Sequence, residues 1–303
     1  MDLAPSSPTR RRFERYTPEN ELVLTARDLS ILCDLHDRRF MNARQLQTLY
    51  GTNVPERLRW LFRHGYVDRP KAQRIFRIRE GGGSRPLIYA LANRGAQAIT
   101  ALRLRNASRR DWSELNLELS AFSTHIPHEL AIADVYVSFR KGSVPRALDL
   151  VQGDELARRQ NVRALEVPGE GKLLYPDWTF ALVRSDAASS PCLFFLEVDR
   201  GTMPNVRCLS PNIEHLAGKY ERYLAYARAK KSLEQFGVAN FRVLTVTDGG
   251  ETKVLNVAKA AHDVCAGVGV GRFLATSLAA LATGDALDVP WLDASGRKVR
   301  LGA

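Results

Sequence analysis

Residues 173–200 constrain the fold of this chain more than any other stretch. Two apolar runs, at residues 175–183 and 192–198, flank a polar segment rich in serine and alanine. Apolar runs of this length, bounded by turn-forming residues, are typical of buried β-strands. The stretch therefore predicts a hairpin of two buried strands, around which the rest of the chain is organised.

Acidic residues occur in both apolar runs at positions where the pattern predicts core. Asp177 lies near the start of the first run, directly after Pro176, and Glu197 and Asp199 lie at the end of the second. Buried carboxylates are costly unless they are paired or bind a metal ion, and Mg²⁺ prefers oxygen ligands. Two adjacent strands that present acids side by side thus predict a divalent-metal site suited to phosphodiester chemistry. The alternative is that the acids only cap the strand ends or pair with Arg200.

The positive charge of the chain is concentrated in its first third. The formal net charge is +11; residues 1–110 contain 22 Lys and Arg against 10 Asp and Glu, and the remaining residues contain 22 against 23. A solvated surface needs charge but not charge of one sign, so this asymmetry indicates a polyanionic partner, either nucleic acid or an anionic membrane.

Cysteine spacing and hydropathy favour a soluble, cytoplasmic protein with reduced thiols. The four cysteines form no C-x-x-C pair, which argues against a zinc site or a disulfide framework. The basic run at residues 10–12 is not followed by the apolar segment of a signal peptide. The most apolar window, residues 264–282, is interrupted by Arg272 and several glycines, which indicates buried core rather than a membrane span.

The N-terminal third predicts a basic arm followed by a winged helix-turn-helix domain. Residues 1–20 are polar and basic, which indicates a flexible arm, and the domain is expected over residues 21–108. Amphipathic spacing predicts three helices, the first two capped by Thr25 and Asn42, and then a strand, a glycine-rich tip, a return strand and a helix. That order of elements is typical of a winged helix.

In a winged helix the third helix enters the major groove of DNA and the wing contacts phosphates. The predicted DNA-binding residues are arginines, namely Arg57, Arg59 and Arg63 on the third helix and Arg74, Arg77, Arg79 and Arg85 on the wing. Their density and the charge bias favour double-stranded DNA as the partner. Two alternatives remain: the arginines only solvate the helices, or the winged helix serves as a protein–protein module.

The remainder of the chain predicts an α/β domain over residues 120–303, after a polar junction at residues 105–119. The pattern indicates a helix, a short strand, the hairpin strands, a second helix, a buried strand at residues 241–247 and a third helix. Such an order produces a mixed sheet flanked by helices.

This order, with P-D and E-x-[DEK] on adjacent strands about 20 residues apart, resembles the PD-(D/E)XK nuclease-like superfamily. The resemblance implies a restriction-endonuclease-like core that binds Mg²⁺ or Mn²⁺ through Asp177 and Glu197. Asp199 stands where the superfamily usually has a catalytic lysine. Lys219 is the expected substitute, because it lies about 60° from the apolar stripe of its predicted helix and so borders the buried face.

Further residues are implied as members of the site. Asp199 is expected to bind the metal or to accept a hydrogen bond from Lys219, and the carbonyl of Val198 is a third candidate ligand. Glu129 is the acid that some nuclease-like sites recruit from the first helix. His125 and His128 are expected to cap the helix or contact substrate rather than bind metal.

The whole chain is similar to the replication-relaxation family of plasmid and mobile-element proteins. The resemblance rests on the ordered segments LTARDLSIL, FMNARQL, RLRWLFRHGYV, LIYALANRG, HELAIADVYV, YPDWTFAL, FLEVDRGT and KYERYLAY. It implies a DNA-binding protein of a plasmid or mobile element whose second domain engages or cuts DNA. The alternative is a non-catalytic regulator, or a replication or relaxosome accessory, whose nuclease-like domain is an assembly or sensing module. Plasmid replication or transfer proteins are implied as partners, and a homodimer is left open.

Overall fold

The computed structural model describes residues 13–15, 20–74, 85–107, 111–121, 125–156, 164–167, 173–184, 191–200 and 216–302. The described residues up to Leu130 form one compact unit, and those from Ala131 onwards form a second. Both units combine helices and strands, so the predicted α/β class is confirmed. In the part of the chain that is described, no helix is long and apolar enough to cross a bilayer.

The first unit contains helices and a small antiparallel sheet with strand order β1-β3-β2. The predicted order of three helices, strand, strand and helix is confirmed, and β1 and α5 are additions to it. The glycine-rich tip at residues 81–83 lies outside the described residues. The elements are α1 (Ala26–Arg38), β1 (Phe40–Asn42), α2 (Ala43–Tyr50), α3 (Val54–Arg63), β2 (Val67–Asp68), β3 (Ile88–Leu91), α4 (Asn93–Ala101), α5 (Trp112–Ala121) and the start of α6 (His125–Ser143).

Side-chain caps fix where the first two helices begin. At α1, the Thr25 hydroxyl accepts a hydrogen bond from the Asp28 N–H at 3.3 Å, and the Asp28 carboxylate accepts one from the Thr25 N–H at 2.7 Å. At α2, Asn42 and Gln45 form the same reciprocal pair. Each capping box satisfies two backbone donors that a helix start leaves without partners. Both predicted caps are therefore confirmed.

The boundary between the two units lies within α6, whereas the predicted domains were separated by residues 109–119. The predicted polar junction contains α5, which begins where the Asp111 carboxylate accepts hydrogen bonds from the N–H groups of Ser113 and Glu114. The first turns of α6 belong to the first unit because Ile126 is fully buried in a cluster with Phe40 of β1.

The second unit is built on a mixed seven-stranded sheet with order β12-β11-β10-β9-β8-β7-β4. Strands β8, β9 and β10 are parallel and their other neighbours are antiparallel. The predicted mixed sheet is confirmed, and β11 and β12 extend it beyond the prediction. The elements after α6 are β4 (Leu148–Gln152), β5 (Leu165–Glu166), β6 (Leu173–Leu174), β7 (Trp178–Arg184), β8 (Cys192–Asp199), α7 (Leu216–Arg228), α8 (Lys231–Phe236), β9 (Phe241–Thr247), α9 (Glu251–Cys265), β10 (Phe273–Ser277), α10 (Leu278–Thr283), β11 (Trp291–Asp293) and β12 (Lys298–Val299).

Aromatic side chains cover both faces of this sheet. On one face Phe195 of β8 packs against Tyr223 and Tyr226 of α7, and on the other Phe139 of α6 packs against Phe180 and Phe194. Burying one such ring stabilises the fold by about 2–3 kcal/mol. Because successive residues of a strand point to opposite faces, Glu197 and Asp199 share the face of Phe195, beneath α7.

Candidate functional site

Asp177 and Glu197 lie directly opposite each other at one end of the β7–β8 pair. Trp178 is paired with Leu196 in the antiparallel register, so the preceding residue, Asp177, faces Glu197. The Asp177 N–H donates to the Leu196 carbonyl at 2.9 Å, and the Val198 N–H donates to Asp177 Oδ2 at 2.7 Å. Residues opposite each other on one face are close enough to interact. The fold thus brings the two predicted carboxylates together.

Helix α7 places two polar side chains on Glu197. Lys219 Nζ donates to Glu197 Oε2 at 2.6 Å, and the Tyr223 hydroxyl donates to Glu197 Oε1 at 2.7 Å. Lys219 and Tyr223 are four residues apart, so they lie on the same face of the helix, one turn from each other. Lys219 is 8% exposed and Glu197 is 2% exposed, so this contact is buried. Lys219 therefore reaches the hairpin, as its helical position predicted.

Burial opposes the ionisation of Glu197 in this site. Burial, reinforced by the neighbouring charge of Asp177, raises the pKa of Glu197 to about 7, although Lys219 and Tyr223 oppose this shift. Burial lowers the pKa of Lys219, but attraction by Glu197 and Asp177 outweighs it and the net shift is upward. Burial also raises the pKa of Tyr223 far above its ordinary value, so Tyr223 remains a donor. Burial therefore disfavours the ionised form of Glu197 in the folded protein.

A second buried carboxylate of β8 pairs with a lysine that the sequence did not indicate. Asp199 is 3% exposed, and its Oδ2 lies 3.0 Å from the ammonium group of Lys253 on α9. The sequence gives only a weak signal for Lys253, as a lysine in the first turn of a helix that follows a strand and two glycines. Tyr223 could have been found from its four-residue spacing to Lys219.

The alternative in which the acids only pair with Arg200 has little support in these contacts. Arg200 Nε lies 4.0 Å from Asp248 Oδ2, at the outer limit of an ion pair. Asp177 and Glu197 instead accept hydrogen bonds from Val198, Lys219 and Tyr223. The two acids therefore have separate donors: Asp177 caps the backbone at Val198, and Glu197 is held by two side chains of α7.

Glu129 has its ion pairs in the first unit. Its Oε1 lies 3.2 Å from Arg39 and 3.5 Å from His125, one turn earlier on α6. His128 is half-buried on the same turn. The recruitment of Glu129 to the carboxylate site, which is formed by Asp177 and Glu197, stays a prediction. The observed contacts give Glu129 a structural role beside Arg39.

The predicted metal ligands form a pair and not a larger protein cage. Across the described residues, no group of three or more His, Cys, Asp or Glu side chains is arranged to hold a metal ion. Mg²⁺ usually keeps several waters and binds through one or two carboxylates together with substrate phosphate. A pair of carboxylates is compatible with that mode of binding.

The arginines of α3 divide into structural and surface groups. Arg57 donates to both carboxylate oxygens of Asp28, at 2.8 and 2.6 Å, and to the carbonyl of Val23 at 2.7 Å. Asp28 is fully buried, so Arg57 fixes α3 against the start of α1. The sequence predicted that Arg57 lies on a DNA-facing surface. Its guanidinium instead pairs with Asp28, the acid of the α1 capping box, which lies within reach. Arg59 is exposed and Arg63 is half-buried.

A basic cluster surrounds the end of α3. Arg63 lies 5.2 Å from the ring of Trp60, which is 38% exposed, and Arg69 lies 4.2 Å from the ring of Phe62. Burial lowers the pKa of Arg69, and the nearby charges of Arg59 and Arg63 add to this effect. We call Arg15, Arg59, Arg63 and Arg69 the α3 basic cluster.

Arg15 joins this cluster from the segment predicted as a flexible arm. Its guanidinium donates to the carbonyls of Phe62 and Val67, each at 3.0 Å, and to Asp68 at 2.8 Å. The arm is therefore anchored at this position.

The predicted wing residues are only partly described. The exposed Arg85 lies three residues before the return strand β3, and Arg74 ends a short 3₁₀ helix at Lys71–Arg74. Arg77 and Arg79 lie outside the described residues.

Comparison with known families identifies the chain. A sequence model of the replication-relaxation family matches residues 32–240, more than two thirds of the 303-residue chain. The chain belongs to the replication-relaxation family. The match includes α3 with most of the basic cluster, and also both hairpin strands and α7. Lys253 lies beyond the matched region of the replication-relaxation model. No curated protein and no solved structure gives a significant match.

Proposed function

We propose that the protein is a DNA-binding replication protein of a plasmid or other mobile element, and that its second unit carries a Mg²⁺-dependent phosphodiester-cleaving site. The observation that carries the proposal is the constellation of the half-buried Asp177 with the buried Glu197 and Lys219. Two carboxylates can hold a divalent metal ion, and a nearby lysine can stabilise negative charge on a phosphodiester during metal-assisted hydrolysis.

The donor set suits a divalent metal such as Mg²⁺ or Mn²⁺. Asp177 and Glu197 offer only oxygen atoms, and a carboxylate has about four lone-pair positions that donors or a metal ion can use. Burial is the main cause of the raised pKa of Glu197, and the charge of Asp177 adds to it. A divalent ion beside Glu197 would favour its ionised form instead. When bound, Mg²⁺ would supply Lewis-acid stabilisation of charge on the phosphoryl oxygens.

The side chains of this chain would prepare the site for such an ion. Tyr223 and Lys219 hold the Glu197 carboxylate in one orientation, and the Val198 N–H does the same for Asp177. Lys219 also supplies a fixed positive charge within the buried site, which stabilises developing negative charge on a phosphate. Burial strengthens these interactions because little water screens them.

DNA binding is assigned to the first unit, which we interpret as a winged helix. Support comes from the order of its elements and from the α3 basic cluster, which combines exposed arginine with the partly exposed Trp60. Arginine binds phosphates and the guanine edge in the major groove, and aromatic rings pack against bases or sugars.

The proposal is tested with supercoiled and linear duplex DNA incubated with Mg²⁺. Wild-type protein is expected to cleave DNA, and Asp177→Ala is expected to keep binding the same DNA through the first unit and to lose metal-dependent cleavage. Arg59→Ala serves as the matched control, with weaker binding and an intact carboxylate site. Equal cleavage by wild type and Asp177→Ala would refute the assignment of the site.

A second candidate function is a non-catalytic regulator, in which the nuclease-like unit serves assembly or sensing. The observation in its favour is that both oxygens of Glu197 already accept hydrogen bonds, from Lys219 and Tyr223. In that case Mg²⁺ leaves DNA intact, and Asp177→Ala changes neither cleavage nor DNA affinity.

A further inference from the structure

The carboxylate site contains two lysine–acid pairs whose lysines differ in accessibility. Lys219 is paired with Glu197 at 2.6 Å, and its side chain is 10% exposed. Lys253 is paired with Asp199 at 3.0 Å, and its side chain is 23% exposed while that of Asp199 is 2% exposed. Lys253 therefore extends from the protein surface to a buried carboxylate, whereas Lys219 is enclosed.

The turn between β9 and α9 is shaped to admit the stem of Lys253. A Cβ atom added at Gly249 would lie 2.6 Å from Cβ and 2.8 Å from Cγ of Lys253, closer than two carbon atoms can approach. The Gly249 N–H is also held by the Thr247 hydroxyl at 3.1 Å. The lysine stem thus occupies the space that a side chain at position 249 would fill, and its ammonium reaches Asp199.

The location of the pair is one where parallel sheets bind ligands. Asp199 and Thr247 are paired at the carboxyl ends of the neighbouring parallel strands β8 and β9. In open α/β sheets, ligands bind outside the carboxyl ends of the strands. A ligand at this edge would meet Lys253 before it met the enclosed Lys219.

The balance of charge at this edge suits a phosphodiester when a divalent ion is present. Three carboxylates, Asp177, Glu197 and Asp199, and two ammonium groups, Lys219 and Lys253, leave one net negative charge when all are ionised. One divalent cation converts this to one net positive charge, which complements the single negative charge of a phosphodiester.

We propose that Lys253, held by Asp199, contacts a phosphate of the DNA strand that enters the carboxylate site. Lys253 then supplies from α9 the positive charge that would come from a lysine at position 199. This inference rests on the proposed function, because it names a residue that binds the substrate of the same site. The enclosed Lys219 orients Glu197 and supplies positive charge inside the site, whereas the more exposed Lys253 contacts the incoming DNA phosphate.

The test measures binding of the full chain to a fluorescent DNA duplex, with Ca²⁺ in place of Mg²⁺, together with cleavage in Mg²⁺. Lys253→Ala is expected to bind DNA about tenfold more weakly, the size of one charge-assisted hydrogen bond. Lys253→Arg is expected to restore much of the affinity. Lys259→Ala is the matched control, because Lys259 lies on the same helix but is exposed and paired with Asp263; its affinity should equal that of wild type.

A double variant separates substrate contact from folding. Lys253→Ala leaves a buried Asp199 without its ion-pair partner and destabilises the protein, whereas Lys253→Met combined with Asp199→Asn removes both charges. The double variant should bind DNA as weakly as Lys253→Ala while its thermal unfolding stays close to that of wild type. Wild-type affinity in the double variant, or an equal loss in Lys259→Ala, would overturn the inference. If the wild-type protein does not cleave DNA but its DNA binding still depends on Lys253, the result refutes the proposed catalysis and not the contact made by Lys253.

Discussion

Replacing Glu197 by glutamine isolates the free energy of ionising a buried carboxyl group. Glutamine has nearly the shape of glutamate but carries no charge, so the variant resembles the protonated wild-type protein at every pH. Burial and the charge of Asp177 raise the pKa of Glu197 in the folded protein from its ordinary value of 4.5 to about 7. In the unfolded chain the same group ionises near its ordinary pKa.

The sign of the effect follows from the direction of this shift. Between these two pKa values the folded state holds a proton that the unfolded state has released, so the free energy of unfolding falls as pH rises. The contribution of Glu197 is fully present below pH 4.5 and is lost as pH rises through 7. A shift of this size corresponds to about 3 kcal/mol. In wild type Glu197 and Asp177 raise the pKa of Lys219 above its ordinary value, so Lys219 stays charged throughout this pH range.

Urea unfolding of wild type and Glu197→Gln from pH 4.5 to 8, without divalent metal, measures this free energy. The two proteins should have similar stability at the acid end, and the glutamine variant should become more stable than wild type by up to about 3 kcal/mol at pH 8. Glu234→Gln, at an exposed position of α8, provides the control with the same chemical change. Parallel pH profiles for wild type and Glu197→Gln would refute the electrostatic account of the site.

Further predictions concern individual contacts. Arg57→Ala should lower the free energy of unfolding by about 2–3 kcal/mol in a urea titration, because it leaves a buried carboxylate without its partner. Arg59→Ala should leave stability unchanged. It should reduce the slope of log DNA affinity against log salt concentration by the equivalent of about one phosphate contact. Tyr223→Phe should cost about 1.5–3 kcal/mol in the same titration, since a hydrogen bond to a charged group is lost in the core. Gly95→Ala should lower the thermal midpoint, at a cost of about 2 kcal/mol or more, because its Cβ would lie 2.2 Å from the carbonyl oxygen of Tyr66.

The parts of the fold that the sequence predicted depend on local signals. Thr25 and Asn42 fix helix starts through residues three positions away, and the run at Phe241–Thr247 is long enough to indicate a buried strand. Helix α5 has a local signal in the cap at Asp111, but the polar composition around it favoured a junction. Strand β11 is three residues long, and its buried Trp291 is defined by non-local packing that a short pattern cannot reveal.

The features of the candidate site that were predictable are those that follow from a single hairpin or a single helix. The opposition of Asp177 and Glu197 follows from hairpin register, and the inward position of Lys219 follows from helical spacing. The pairing of Lys253 with Asp199 was not predictable, because it joins residues 54 positions apart through the turn after β9. Arg57 was assigned to a DNA-facing surface because helical spacing identifies the outer face but not a carboxylate on a neighbouring helix.

In the proposed function, Asp177 and Glu197 together bind a divalent metal ion. Crystals of the wild-type protein soaked in Mn²⁺, with diffraction measured near the manganese absorption edge, show whether they do. We expect an anomalous peak between the two carboxylates and no peak at this position in Asp177→Ala crystals treated in the same way. Wild-type crystals with no peak there, in which Lys219 and Tyr223 still donate to Glu197, would contradict the proposed metal binding.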